Sequence, residues 1–314
     1  MLEELGIQRQ TIPLPFRLNH VNCFIAEGEK GYILIDTGLN NKQTEKIWDG
    51  LLDKKQIDKI LITHMHPDHY GFAGQLQKRT GAHLSMSKVD ADTANFIWKE
   101  NALPLLLEDY DKASVPEKIA NGIVELTKNF VPSVTPLPTI HHYFEEGEKI
   151  QIGKELYEVI FTPGHSAGLV CFYNKKKSVL LSTDHILPKI TPNISYWFYG
   201  EQNPLQSYEN SLNKIKKYNV DFVIPSHGDP FYGANERMEQ IWEHHLERLA
   251  ITMNALKKVG TIFEVLHFLF EKELNVYEYQ FAIGETIAHL EYLRAKGECR
   301  RELDKGKWQY EIVK

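Results

Sequence analysis

The sequence predicts a mixed α/β chain of enzyme size that carries a small helical module towards its C-terminal end. Three observations carry this prediction. Short β-rich runs recur on both sides of a helical, proline-bearing stretch, a dense histidine and aspartate motif follows directly on one such run, and from about Asn235 the chain turns helical before closing on a hairpin. The 314 residues accommodate one large domain and one small one, at roughly 100 to 200 residues per domain.

In chain order, Gln8 to Leu39 holds strand-like runs at Val21 to Ala26 and Tyr32 to Ile35, separated by the turn-like Glu27 to Gly31. Lys42 to Leu52 places Ile47, Trp48, Leu51 and Leu52 at helical spacing. Lys59 to Thr63 predicts a short strand delivering the chain into His64, with a helix following from Phe72 to Thr80. Residues 89–145 read as an inserted helical lid, ending in a segment whose prolines 132, 136 and 138 cannot continue a helix. Strand signals return in Leu156 to Phe161, Leu169 to Tyr173, Val179 to Ser182 and Asp221 to Ile224. Thr261 and Glu264 have the spacing of a capping box, a further helix spans Phe281 to Ala295, and Cys299 to Val313 forms a terminal hairpin. Helices followed by a hairpin suggest a winged-helix-like module over 249–314, behind a catalytic domain over 1–248.

The composition, 42% hydrophobic and 25% charged, is that of an ordinary globular protein. A formal net charge of −6 excludes whole-chain attraction to nucleic acid or anionic lipid. Cys23, Cys171 and Cys299 are widely spaced and odd in number, which argues against a disulfide framework and against a thiolate metal site. The sequence offers no secretory pattern and no membrane-length apolar run, so a cytoplasmic location is the expectation.

The strongest chemical signal is Thr63-His64-Met65-His66-Pro67-Asp68-His69, three imidazoles and a carboxylate within six positions. If the strand runs on into it, His64 and His66 point to one side and Asp68 and His69 elsewhere, so that one loop feeds two adjacent metals. His165 in Pro163-Gly164-His165-Ser166, Asp184 in Ser182-Thr183-Asp184 and His227 in Ser226-His227-Gly228 each follow a strand-like run. Each is weak alone; in this order after the first motif they are strong.

In these elements the chain resembles the metallo-β-lactamase superfamily, from Gln8 to about Tyr232. The resemblance implies a four-layer αββα sandwich with metals at one edge between the sheets, and hydrolysis as the commonest activity. Carried over by position, it implies that His64, His66 and His165 bind one metal, that Asp68, His69 and His227 bind a second, and that Asp184 bridges them. Asp36 matches the family's aspartate near the first strands that supports the ligand loop. Two divalent ions are expected, zinc first, with iron or manganese also suited to such donors.

The expected function is metal-dependent hydrolysis through a metal-bridging hydroxide, with Asp68 orienting it or passing on its proton. The preferred substrate is a small ester, thioester or lactone, since Asp68-His69-Tyr70-Gly71 is similar to the glyoxalase II branch. Tyr196 to Tyr199, Trp98 and Leu103 to Leu107 are candidates for an apolar cleft wall, the first group equally for core packing. The rival is an endoribonuclease or phosphodiesterase with the tail aiding nucleic-acid binding, because Arg294, Lys296, Arg300, Arg301, Lys305 and Lys307 cluster near the hairpin. Against it, residues 249–314 hold ten Lys and Arg and ten Asp and Glu. The tail is therefore expected to be structural, the partner a small molecule rather than nucleic acid or membrane, and a homodimer is left open. His20, His83, His244, His245, His267 and His289 are expected to be structural or solvated, His141 and His142 solvent-exposed, and His185 at best a support for its neighbour.

Overall fold

The computed structural model describes residues 1–99 and 102–313; residues 100 and 101, inside the expected insertion, and residue 314 lie outside the described residues. The strand signals resolve into two six-stranded sheets. The first runs β1 (Ile7–Pro13), β2 (His20–Glu27), β3 (Tyr32–Ile35), β4 (Ile57–Leu61), β5 (His83–Met86) and β6 (His142–Tyr143) in spatial order. The second runs β7 (Lys149–Ile152), β8 (Glu155–Phe161), β9 (Val170–Asn174), β10 (Val179–Thr183), β11 (Phe222–Pro225) and β12 (Phe231–Tyr232), with only the β10–β11 pair parallel.

The period-two rule sorts the core. Along β9, β10 and β11, Val170, Phe172, Val179, Leu181, Phe222 and Ile224 point inwards to Phe24, Ile33 and Ile35 of the first sheet. Their alternates Cys171, Leu180 and Val223 point outwards under helices. Both faces are buried, which is why these strands read as continuous apolar runs instead of alternating ones. On the first sheet Val21, Cys23 and Ile25 face outwards with Trp48 and Leu76 of the covering helices. The result is the αββα sandwich.

The helices are α1 (Leu2–Leu5), α2 (Lys42–Leu52), α3 (Pro67–Tyr70), α4 (Ala73–Thr80), α5 (Lys88–Ile97), α6 (Leu103–Lys112), α7 (Glu117–Phe130), α8 (Pro204–Ile215), α9 (Ala234–Ala255), α10 (Ile262–Leu269) and α11 (Val276–Ala295), followed by a hairpin of β13 (Cys299–Asp304) and β14 (Lys307–Ile312). Asn41 caps α2 by accepting from the amides of Gln43 and Thr44, and the indole of Trp48 donates to the carbonyl of Thr37, docking the helix beside the end of β3. Among the described residues no helix is long and apolar enough to cross a membrane.

Two element boundaries differ from the expectation. Residues 89–145 are not all insertion, because His142–Tyr143 return as β6 to pair with Ser85 and Met86 of β5. The insertion proper is α5 to α7 plus a short 3-10 turn, Val131–Ser133. Helix α9 runs without interruption for 22 residues across the expected 248/249 boundary. The helix expected from Phe281 starts five residues earlier, at Val276, where Asn275 and Glu278 form a second capping box.

Candidate metal centre and its cavity

The ligand loop is set by two buried carboxylates. Asp36, at the end of β3 with φ +60°, accepts hydrogen bonds from both the amide and the hydroxyl of Thr63 at 2.9 Å. This draws the chain off the sheet, so β4 ends at Leu61 rather than Thr63 and His64 is not on an extended strand. His64 and His66 nevertheless converge, His64 Nε2 lying 3.0 Å from His66 Nδ1. Pro67 opens the single turn α3 at a position where its fixed φ is already helical. That turn returns His69 to the same cluster, its ring centroid 4.0 Å from that of His64, so Asp68 and His69 do not face away as the strand rule had suggested.

Asp90 on α5 is the second carboxylate, and sequence inspection alone does not single it out. Its oxygens accept from the amide of Met65 at 2.9 Å, the hydroxyl of Ser166 at 2.7 Å and the amide of Gly168 at 2.7 Å. It thereby ties the loop of His64 and His66 to the loop of His165. Burial pushes its carboxyl above the ordinary range, an effect those hydrogen bonds oppose. Position 168 must be glycine because a Cβ there would meet Ser87 Oγ at 2.1 Å.

From the second sheet, His165 follows β8, Asp184 follows β10 directly and His227 stands two residues past β11. His165 Nε2 lies 2.9 Å from His66 Nδ1 and 3.5 Å from Asp184 Oδ2. Asp184 Oδ2 is 3.6 Å from His69 Nε2 and 3.2 Å from His227 Nε2, and Asp68 Oδ2 is 3.6 Å and 3.4 Å from the same two nitrogens. All seven side chains singled out in the sequence meet in one place.

The far nitrogens fix what the near ones offer. His69 Nδ1 lies 2.8 Å from Asp36 Oδ2, His165 Nδ1 lies 2.8 Å from the carbonyl of Asn193, and His227 Nδ1 lies 2.6 Å from the carbonyl of His20. A carbonyl or carboxylate accepts only, so each Nδ1 carries a proton and each ring turns its Nε2 towards the cluster. His69 Nε2, His227 Nε2 and Asp184 Oδ1 are buried with no hydrogen-bond partner among the described residues. Three sets, His64/His66/His165, His64/His69/Asp184 and Asp68/His69/His227, each bring their donor atoms within 4.8 Å of one another. Converging lone pairs and carboxylates with nothing in the protein to satisfy them fit divalent cations.

Burial holds His64 and His66 well below the usual imidazole range, helped by neighbouring rings, and burial also lowers His165. For His69, burial acts downwards but Asp68, Asp184 and Asp36 outweigh it and leave the ring well above that range. Asp184 is held well below the carboxylate range because His227 and His69 overcome the opposing effect of burial. The three cysteines are buried and unpaired, and burial pushes each thiol up, so none is a ready nucleophile.

Other histidines separate cleanly. His20 takes part through its backbone carbonyl, and its Nε2 accepts from the amide of Gly228, a contact with no sequence signal. His185 packs on the ring of Tyr208, away from any ligand set, and burial lowers it to about 3. His245 and His289 pair in the core, while His83, His141 and His142 are exposed.

Four cluster residues, His66, Asp68, His165 and Asp184, line a cavity of about 260 Å³. The remaining wall is largely apolar, with Phe16, Trp98, Phe130, Trp197, Tyr199 and Phe281 prominent and neither lysine nor arginine present among the described residues. The aromatic run 196–199 alternates: Trp197 and Tyr199 line the cavity, while Tyr196 and Phe198 pack on Trp308 of the hairpin. Of the insertion, Trp98 reaches the cavity but Leu103 to Leu107 do not. Leu103 and Leu106 are buried in the core beside α7, and Leu105 and Leu107 are exposed, since α6 turns its other face inwards. Tyr277, Gln280 and Phe281 of α11 complete the wall, so the C-terminal segment supplies more than support. Among the described residues, five of the six basic side chains near the hairpin are engaged, Lys305 excepted: Arg294 and Arg301 with Glu291, Lys296 with Glu209, Arg300 with Glu302 and Glu311, and Lys307 with Asp111.

The family described as the metallo-beta-lactamase superfamily matches residues 17–227, and that described as the metallo-beta-lactamase-like C-terminal domain matches residues 249–313. A beta-lactamase-like protein 2 homolog of Caenorhabditis elegans is 25% identical over 78% of this chain and 68% of its own length. A human protein named acyl-coenzyme A thioesterase MBLAC2 is 23% identical over 74% of this chain and 81% of its own. The crystal structure of a metallo-beta-lactamase family protein from Thermus thermophilus superposes with a TM-score of 0.86, at 27% identity, over 98% of this chain and 99% of that one. The chain spans 64% of the length of an Aquifex aeolicus relative and 62% of one from Aspergillus niger.

Proposed function

The chain belongs to the metallo-β-lactamase superfamily, and from that premise we propose that it is a binuclear metal-dependent hydrolase of small thioesters, esters or lactones, with thioesters foremost. The carrying observation is that the seven-residue donor cluster opens, through His66, Asp68, His165 and Asp184, onto a largely apolar cavity with neither lysine nor arginine among its described lining residues. His64, His66 and His165 would hold one cation and Asp68, His69 and His227 the other, with Asp184 shared; zinc is the first choice, iron and manganese suiting the same donors. Bound there, divalent cations supply Lewis acidity towards an acyl oxygen and make a water acidic enough to ionise near neutral pH.

The chain's own residues do the rest. Nδ1 protons anchored on Asp36, Asn193 and His20 keep three imidazoles in one tautomer and orientation. Asp68 is the more exposed of the two cluster carboxylates, at 18% against 6% for Asp184, so its Oδ2 is placed to take a proton and hand it to a departing group. The aromatic walls exclude water and bind an apolar acyl group. A thiol with a pKa near 8.5 departs as thiolate without a strong acid. The human relative's thioesterase name agrees with this reading. Five of the six basic residues near the hairpin are paired with acids, which weighs against the nuclease reading.

The test is metal analysis of the purified protein, then a panel of thioesters, esters, lactones and single-stranded RNA with Asp68→Ala as control. Thioester turnover that depends on bound metal and on Asp68 is expected. Cleavage of RNA with every acyl substrate untouched would sink the proposal.

A further inference from the structure

Beside the main cavity lies a second, smaller space of about 30 Å³, room for about one water-sized group, and none of the seven cluster side chains borders it. The two spaces share a wall of Trp98, Thr127, Trp197, Tyr199 and Gln280. The smaller space is also lined by Ile97, Leu106, Tyr110 and Ile283, all buried, so a group passing the wall meets more apolar surface.

Packing holds the wall. Trp197 stacks on Tyr199 with centroids 6.1 Å apart and planes 16° from parallel, and it meets Phe281 edge-on at 6.1 Å. The indole N–H groups of Trp98 and Trp197 are both buried and have no acceptor among the described residues. Replacing the Trp197 ring thus forfeits no hydrogen bond. The segment is registered from behind by α11, where the amide of Tyr196 donates to the carbonyl of Gly284 at 2.9 Å. A Cβ on Gly284 would meet that of Ser195 at 2.7 Å.

We infer that the cavity is the binding site of an unbranched acyl chain whose carbonyl lies at the donor cluster and whose methyl end abuts Trp98, Trp197 and Tyr199, so that this wall sets the longest chain accepted. The inference rests on the acyl-hydrolase reading and deepens it. Each methylene buried short of the wall adds about fourfold to kcat/KM, from the transfer free energy of one CH₂. A chain that overruns the wall loses that gain.

The experiment measures kcat/KM of the metal-loaded protein for straight-chain acyl thioesters from acetyl to palmitoyl, in the wild type and in Trp197→Leu and Tyr199→Leu. Leu105→Ala, on the exposed face of α6, serves as control. The same proteins are titrated with a fluorescent fatty acid displaced by a series of carboxylates, which reads the wall without turnover. The expected result is a length limit that moves to longer chains in either wall variant, with the ratio of long-chain to short-chain kcat/KM rising by at least about tenfold and the control unchanged. An unaltered limit in both variants, each shown to be folded by its unfolding transition, overturns the inference. If no thioester is turned over but the displacement limit moves, the binding site stands and the hydrolase reading falls. If no carboxylate displaces the probe, the inference falls.

Discussion

The carbonyl oxygen of Asn193 lies 2.8 Å from Nδ1 of His165, and the side chain of Asn193 is itself gripped from two directions. The hydroxyl of Ser195 donates to its Oδ1 at 2.5 Å, and its Nδ2 donates to Glu285 of α11 at 3.3 Å. Glu285 is paired in turn with Arg248 of α9 at 3.0 Å. One imidazole of the donor cluster is thus oriented through a chain of contacts that ends in the C-terminal helices.

Asn193→Ala keeps the carbonyl but removes both grips. Supporting contacts of this kind are worth about 10- to 100-fold in metal affinity. Competition with a chromophoric chelator should show one of two cations bound at least about tenfold more weakly, the other little changed. Equal affinity for both cations in the variant would mean that the Glu285–Asn193 contact has no bearing on His165.

Asp184→Ala and His227→Ala should lower bound metal and hydrolysis together, because Asp184 Oδ2 lies within 3.6 Å of His69, His165 and His227. Asp68→Ala should behave differently, with kcat falling by about 10²- to 10⁴-fold, beyond what its metal content explains, if its carboxylate moves a proton. Elemental analysis beside single-turnover rates separates the two cases. Full metal occupancy in Asp184→Ala would contradict the shared role given to that carboxylate.

Removing the Asp90 carboxylate would leave the amides of Met65 and Gly168 and the hydroxyl of Ser166 without their acceptor in a buried site. Each orphaned donor costs about 1–3 kcal/mol, so Asp90→Ala should lose at least about 3 kcal/mol in urea unfolding. A loss below about 1 kcal/mol would show that the two ligand loops hold their positions without this clamp.

Much of this architecture was legible because its signals are local. The capping box at Thr261 forms as its spacing foretells, and the apolar runs in β9 to β11 announce strands buried on both faces. The donor residues stood out because His64, His66, Asp68 and His69 are crowded into six positions, and the later three each follow a strand. What stayed hidden depends on contacts across the chain. Asp90 looks like any acid in the first turn of a helix, His20 acts through a carbonyl that every residue has, and β6 is two residues whose pairing with β5 no local pattern marks. The partners of the basic residues near the hairpin stayed hidden for the same reason, since Glu209 and Asp111, which pair with Lys296 and Lys307, are distant in sequence.

Tyr277 separates a pocket role for the C-terminal helices from mere support. Its ring stacks on Phe16 at 5.4 Å with planes 11° apart and lies 6.4 Å from Phe130, joining the β1–β2 connection, the insertion and α11 at the cavity. Aromatic contacts of this kind are worth about 0.5–1.5 kcal/mol each beyond the area they bury. Tyr277→Ala should therefore lower kcat/KM for an apolar thioester by about tenfold, chiefly through KM, because the lost surface binds ground state and transition state alike. Metal content should be unchanged, as Tyr277 belongs to none of the donor sets. If kcat/KM held steady while stability dropped, α11 would be acting only as a prop for the sandwich.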